Sequence, residues 1–405
     1  MHDYSARVAR LQQKLEAKGL DGMLITQNVD LYYLTGSMQT GFLFVPCDGE
    51  PVYFVRRSVE RARGESSAVV EPLGSLRSFG SRLAEIYPAV FGKRASSSGN
   101  SEITASSPVI ATEFDVLPVQ QFQRLQAALP DVHWADGSTL IREVRMIKSA
   151  SELSLIRQAA AVIDRALEQA LSMIQAGVPE YQVMACIEHA ARMEGHLGFM
   201  RMRGYNQELI TGAVGAGEAI AVPTYFDGPA GGLGLSAASP QSSSRRPIGR
   251  NEPILLDIGC CIDGYVIDQT RTAVIGELPE ELARAYGAAE DILRATESSL
   301  KPGTICTELY TRSLDMAAQD GLSDHYMGFG SDQVKFLGHG IGLEIDEWPV
   351  LAKGFDYPLE PGMVIAVEPK FTYPGKGVVG IEDTYAVTED GFERLTVSRQ
   401  DILHL

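Results

Sequence analysis

The chain has 405 residues, 45% of them hydrophobic and 21% charged, a globular composition that excludes disorder throughout. Its 35 Lys and Arg against 52 Asp and Glu leave a net charge of −17, which suits a protein that concentrates cations and argues against sequence-independent binding to nucleic acid or anionic membrane. The length exceeds one ordinary domain, no apolar run is long enough to span a membrane, and the opening MHDYSARVARLQQKLEAKGL lacks an apolar core of signal-peptide length.

Residues 5–18 carry Val8, Leu11 and Leu15 at the spacing of an amphipathic helix, with Gly19 as its stop. GMLITQ reads as a short buried strand and DLYYLTG as a turn. GFLFVPCDGEPVYFV reads as a hairpin turning at Cys47–Pro51. SRLAEIYPAVF and PVQQFQRLQAAL read as helices and PVIATE as a strand, so the first part is a sheet with helices packed on it. The Ser- and Gly-rich stretch 92–107 reads as an exposed loop. Residues 141–165 form the joint to the second part, with Ser149 or Ser151 capping a helix, and a second helix follows near 179–195. Residues 201–248, with clustered Gly, Pro and Ser, read as one long loop. Beyond them come PILLDIGCCI and YVIDQTRTAVI as strands, helices at 280–300 and 304–320, and a strand-rich end. The five cysteines, Cys47, Cys186, Cys260, Cys261 and Cys306, are odd in number and form no CxxC pair, which fits free thiols in a reducing cytoplasm.

The chemistry is concentrated in the last 150 residues. Asp257 follows an apolar run in LLDIG, and Asp268 follows another in VIDQTRT. Two strands joined by an Asp263-Gly264 turn bring these carboxylates side by side. His339 lies between glycines in LGHGIGLEIDEWP, Glu368 ends the apolar run of MVIAVEPKF, and Glu382 does so in VVGIEDTYAV. Buried like charges raise one another's pKa, and divalent cations are the simplest way to keep them anionic. Four carboxylates and one imidazole fit two ions such as Mn, Co, Zn or Fe(II). Two such ions about 3.5–4 Å apart polarise a carbonyl and hold a bridging hydroxide. Trp348 and Pro349 read as pocket wall, Arg271 as the partner of a nearby acid, and His189 with His196 as a solvated helix face.

These segments, with IREVRMIKSASELSLIRQA and NVDLYYLTG, resemble the M24 "pita-bread" metallopeptidases, and most of all their prolidase/aminopeptidase P (Xaa-Pro peptidase) branch. The resemblance covers nearly the whole chain. It implies an α+β protein in which a creatinase/prolidase-like N-terminal α/β domain (1–145) precedes a pita-bread α/β catalytic domain (146–405). It implies that Asp257 and Asp268 bind one metal, and that Asp268 and Glu382 bridge to a second completed by His339 and Glu368. Glu368 and His339 would stand at the catalytic centre, with Glu368 moving the proton between water and leaving amine, and Thr270 would be a hydrogen-bond partner in the pocket. A peptide or small-amide substrate, Xaa-Pro by default, a cytoplasmic homodimer and no nucleic-acid or membrane partner belong to the same expectation. The same scaffold also hosts hydrolysis of non-peptide C–N bonds, lyase reactions and non-enzymatic binding.

The sequence departs from that family at three places. Asp346 stands where a second histidine is usual, the short PH segment upstream of the first metal Asp is replaced by SAASPQSSS, and Gly380 replaces an arginine while Lys370 follows the Glu-Pro pair. Lys370 either replaces the lost positive charge or points to solvent. The expectation is an unusual substrate pocket built from residues 222–246 with Asp346, Lys370 and Thr270. Asp346 cannot donate a hydrogen bond to a carboxylate unless protonated, so simple Xaa-Pro dipeptides are expected to be poor substrates.

Overall fold

The computed structural model describes residues 4–92, 107–207 and 211–405. They form two compact units, Met1–Val144 and Arg145–Leu405. In the first, six strands form one sheet: β1 (Gly22–Ile25), β2 (Gly41–Pro46), β3 (Val52–Val55), β4 (Val69–Pro72), β5 (Val109–Thr112) and β6 (His133–Asp136). Their order is β4-β3-β2-β1-β5-β6, and β2 pairs antiparallel with both β1 and β3. Leu24, Phe44, Phe54, Phe79, Leu83 and Leu125 make its core. The hairpin at 41–55 forms as its alternation requires. DLYYLTG is not a turn: Asn28–Thr35 is a helix, opened by Gln27 accepting from the Asp30 N–H and closed by Gly36 at φ 85°. An αL position of that kind favours glycine, so the stop signal was present in the sequence. Most of the stretch read as a loop at 92–107 lies outside the described residues.

The second unit opens with helix Ala150–Leu171. Ser149 accepts from the Glu152 N–H and Glu152 accepts from the Ser149 N–H, a reciprocal cap that fixes where the helix begins. This helix packs against Glu180–Met193 and against two long strands. Those strands are β8 (Ile254–Ile262) and β9 (Tyr265–Val274), preceded in the chain by β7 (Gly212–Ala216), a strand inside the stretch read as a loop. Gly-Ala-Val-Gly-Ala has little β propensity of its own, and pairing along β8 holds it. The sheet runs β17-β9-β8-β7, with β17 at Leu403–His404.

A second sheet collects β10 (Phe336–Gly340), β11 (Glu347–Ala352), β12 (Val364–Val367), β15 (Asp383–Val387) and β16 (Phe392–Arg394) in the order β11-β10-β12-β15-β16. A separate hairpin, β13 (Lys370–Tyr373) with β14 (Gly377–Gly380), pairs Lys370 with Gly380. Helices Glu280–Glu297 and Cys306–Gln319 cover the hairpin and the β10–β11 side, over a core that includes Ile292, Leu309, Leu337, Ile365 and Tyr385. Among the described residues no helix is long and apolar enough to cross a membrane.

Candidate metal centre and active site

The two sheets of the second unit meet at one backbone bridge, where Thr270 and Glu382 exchange N–H···O bonds of 3.3 and 3.1 Å. Every candidate ligand lies near it. Asp257 pairs with Thr270 across β8 and β9, and Asp268 pairs with Gly259, so both acids share one face of the ladder and sit diagonally. Glu368 follows the last residue of β12 and Glu382 precedes the first of β15, and those end residues, Val367 and Asp383, are direct partners. His339 pairs with Ala366 one strand further over. Arg271 donates to Asp383 at 2.7 Å and to the Glu382 carbonyl at 2.7 Å, fastening β9 to the start of β15.

Strand β9 is buried along its full length, so its polar side chains must find partners inside the protein. Gln269 donates to Ser398, Thr270 to Glu382, Arg271 to Asp383 and Thr272 to the Gly380 carbonyl. Asp268 is the exception. Its carboxylate faces the cleft and has no side-chain hydrogen bond or ion pair among the described residues.

The Lys370 ammonium is wholly buried and lies 2.5 Å from Glu368 Oε2, 2.9 Å from Glu382 Oε2 and 3.3 Å from Asp257 Oδ2. Thr270 Oγ1 donates to the same Glu382 oxygen at 2.8 Å. The other oxygen, Glu382 Oε1, is buried without a partner. Asp268, His339 and Glu382 each present an atom toward one point, all within 4.8 Å of one another. An orphaned buried oxygen beside an unpaired carboxylate and an imidazole is a donor set that fits one divalent ion. His339 Nδ1 lies 3.1 Å from the Gly340 carbonyl and 3.4 Å from Asp346 Oδ1, and Nε2 lies 3.6 Å from Glu368 Oε1. A proton on Nδ1 directed at Gly340 leaves the Nε2 lone pair for a metal.

The electrostatics match this layout. Burial raises the pKa of Asp268 well above the usual carboxylate range, and Glu382 and Asp257 add to it. Burial also raises Asp257 against the pull of Lys370. Glu368 is pushed up to about 7 by burial, with Lys370 opposing and Glu382 adding. Glu382 alone falls below its ordinary value, because Lys370, His339 and the hydrogen bonds from Lys370 and Thr270 outweigh its burial. Burial opposes charge on His339 and Lys370, yet the surrounding acids raise both. The cluster therefore holds more negative charge than one ammonium neutralises, and an arriving cation displaces protons from it.

Lys370 and Thr270 are corrections to the pocket reading. Both are fully buried and sit beneath the cleft, behind the acids, rather than in its wall. Lys370 points neither to solvent nor to Asp346. Asp346 does line the cleft, and it turns toward His339. Thr224, Phe226–Gly231, Gln241 and Ser242 line it too, so the 222–246 stretch contributes as expected. That stretch is tied down: Ser242 donates to the Gly212 carbonyl and Ser243 to the Val214 carbonyl, both on β7. Trp348 packs on Phe355 and Tyr357 and is not a wall of the cleft. His196 is buried past its helix, accepting the Cys261 N–H at Nδ1. The sequence reading missed a second buried network, in which Glu347 meets Arg145 and Lys148 while Arg145 also holds Glu344 at 2.8 Å. Glu347 accepts the Leu343 and Glu344 N–H groups, which sets the turn that carries Asp346.

This arrangement, acids and an imidazole at the meeting of two largely antiparallel sheets, defines a metallohydrolase-type centre. Residues 154–389 match the model of metallopeptidase family M24, and residues 7–147 match that of the creatinase/prolidase N-terminal domain. The chain belongs to metallopeptidase family M24. It is 25% identical to the Xaa-Pro dipeptidase of Pyrococcus horikoshii over 98% of each chain, and 29% identical to the probable dipeptidase PepE of Mycobacterium tuberculosis over 96% of this chain and 93% of that one. Among solved structures, the Xaa-Pro dipeptidase from Bacillus anthracis superposes with a TM-score of 0.81 at 25% identity, covering all of both chains.

Proposed function

We propose that the chain hydrolyses an amide bond next to the amino end of a short peptide, with Xaa-Pro as the default bond, using a divalent ion held by Asp268, His339 and Glu382. Family membership and relatives named Xaa-Pro dipeptidase support the reaction. The observation that carries the substrate preference is the lining of the cleft. Among the described residues, Asp227, Asp257, Asp268, Asp346, Glu368 and Glu382 line it and no lysine or arginine does. A protonated substrate amine is stabilised there, and a free substrate carboxylate meets no lysine or arginine, with His339 the one basic side chain in the lining among the described residues. The segment Thr224–Gly231 also walls a neighbouring groove bounded by Phe329, Gln333 and Thr372, again without a lysine or arginine. That groove gives a longer peptide somewhere to run.

A divalent ion in this set supplies Lewis acidity toward the scissile carbonyl. Glu368 Oε2 is held by Lys370, so Oε1, on the His339 side, is the atom that takes a proton from the attacking water and returns it to the leaving amine as the C–N bond breaks. Asp346 and the Gly340 carbonyl hold the imidazole of His339 in register. The test compares kcat/KM for a Xaa-Pro dipeptide, its C-terminal amide and a Xaa-Pro tripeptide. The amide and tripeptide should exceed the free dipeptide by at least about tenfold, the scale of 1.4 kcal/mol of binding; a preference for the free acid contradicts the reading. The same acidic lining favours a second reading, a non-peptide amide carrying an amine, which a panel of such amides separates from the first.

A further inference from the structure

We infer that Lys370 is a built-in substitute for one of two cations: its ammonium takes one side of the acid cluster, and the chain binds a single divalent ion on the other side, between Asp268, His339 and Glu382. This rests on the metal-dependent reading above and sets its stoichiometry at one ion, where the sequence led to an expectation of two. The oxygens divide cleanly. Asp257 Oδ2, Glu368 Oε2 and Glu382 Oε2 are committed to the ammonium at 3.3, 2.5 and 2.9 Å, and Glu382 Oε2 also takes the Thr270 hydroxyl. Among the described residues Glu382 Oε1 is left buried without a partner, and Asp268 is left without an ion pair. One carboxylate, Glu382, thus faces two cation positions, with lysine at the first.

Space and charge agree with the division. Lys370 crosses β13 to β14 opposite Gly380, and a Cβ on residue 380 would stand 2.7 Å from Lys370 Cγ and 2.8 Å from its Cα. The Pro369 carbonyl oxygen would be nearer still, at 2.6 Å, so a glycine at 380 is what lets the Pro369–Lys370 backbone and the start of the lysine side chain lie there. The ammonium and one divalent ion offset three of the four carboxylate charges. A second divalent ion on the Lys370 side would sit beside Nζ, which already takes one oxygen each from Asp257, Glu368 and Glu382, and cations so close repel strongly in a buried site. Asp257 lies against the ammonium and outside the Asp268–His339–Glu382 group, so in this division it serves Nζ rather than the ion.

The experiment titrates the metal-stripped full chain with Mn²⁺ alone, read by calorimetry, by elemental analysis after dialysis and by the Mn²⁺ electron paramagnetic resonance spectrum. Wild type should bind one ion per chain with the spectrum of an isolated Mn²⁺. Asp268→Asn should weaken binding by more than about 100-fold, while Asp257→Asn should stay within about tenfold, since only the first is expected to touch the ion. Lys370→Met, similar in length and uncharged, should take up a second ion and develop the signal of a coupled pair. If that variant does not fold, the wild-type count and the Asp257–Asp268 contrast still decide. Two ions in wild type would overturn the inference and leave the metal-dependent hydrolase intact. No ion in wild type would overturn both.

Discussion

Arg145 and Lys148 meet Glu344 and Glu347 as two cations against two anions, whereas Lys370 meets Asp257, Glu368 and Glu382 with Asp268 unpaired beside them, one cation among four acids. Both groups lie in the second unit and are largely buried. In the balanced group each side chain has an opposite charge at hand, and Glu347 is held down to about 2 because Arg145 and Lys148 outweigh its burial. In the unbalanced group burial lifts Glu368 to about 7 and raises Asp268 well above the usual carboxylate range, and one ammonium does not offset it. Charge balance separates a network that fixes a turn from one that recruits a cation.

The largest effect should come from the unbalanced side. Glu368→Gln keeps an oxygen in place but cannot accept a proton, so kcat should fall by about 10²–10⁴ while the bound-metal count stays at the wild-type value. A variant within tenfold of wild type, with metal content matched, removes Glu368 from the proton path. Next comes a stability contrast. Glu347→Gln strips a buried partner from Arg145 and Lys148 and should cost about 3–5 kcal/mol in urea unfolding, with no recovery on adding Mn²⁺. Lys370→Met should lose stability in the metal-free chain and regain much of it with Mn²⁺, because ions bind the folded state. Equal responses to Mn²⁺ in the two variants would erase the distinction.

The Glu347 contribution also has a pH signature. Its folded pKa is about 2 against an ordinary 4.5, so between those values the unfolded chain binds a proton that the folded chain does not. The stabilisation is complete above about pH 4.5 and fades as pH falls toward 2. The stability gap between wild type and Glu347→Gln should therefore narrow on acidification from pH 6 to pH 3. A constant gap would show that Glu347 acts by packing alone. Smaller still, Asp346→Asn should weaken Mn²⁺ binding by no more than about tenfold, since Asp346 is half exposed and lies 3.4 Å from His339. Arg157→Ala, which breaks an exposed pair with Glu393, should change stability by less than about 1 kcal/mol.

Much of the candidate centre was legible because Asp257, Asp268, Glu368 and Glu382 each interrupt an apolar run, and an acid placed there must be compensated. The β8–β9 turn at Asp263-Gly264 was legible for the same kind of local reason. Lys370 was visible as a cation, but its direction was not. A hairpin only a few residues long, opposite a glycine that no single-sequence pattern marks, decides where the side chain goes. The Arg145–Glu347 network joins residues about 200 apart, and nothing local signals such a pairing. β7 escaped because its five residues are Gly, Ala and Val, held by β8 rather than by their own propensity.

The arrangement of cations in the acid cluster is tested most directly by anomalous diffraction from Mn²⁺-loaded crystals of the wild-type chain. One peak bounded by Asp268, His339 and Glu382, with the Lys370 ammonium still against Asp257, Glu368 and the far oxygen of Glu382, is the expected result. Two peaks, with Lys370 turned out of the cluster, would contradict it.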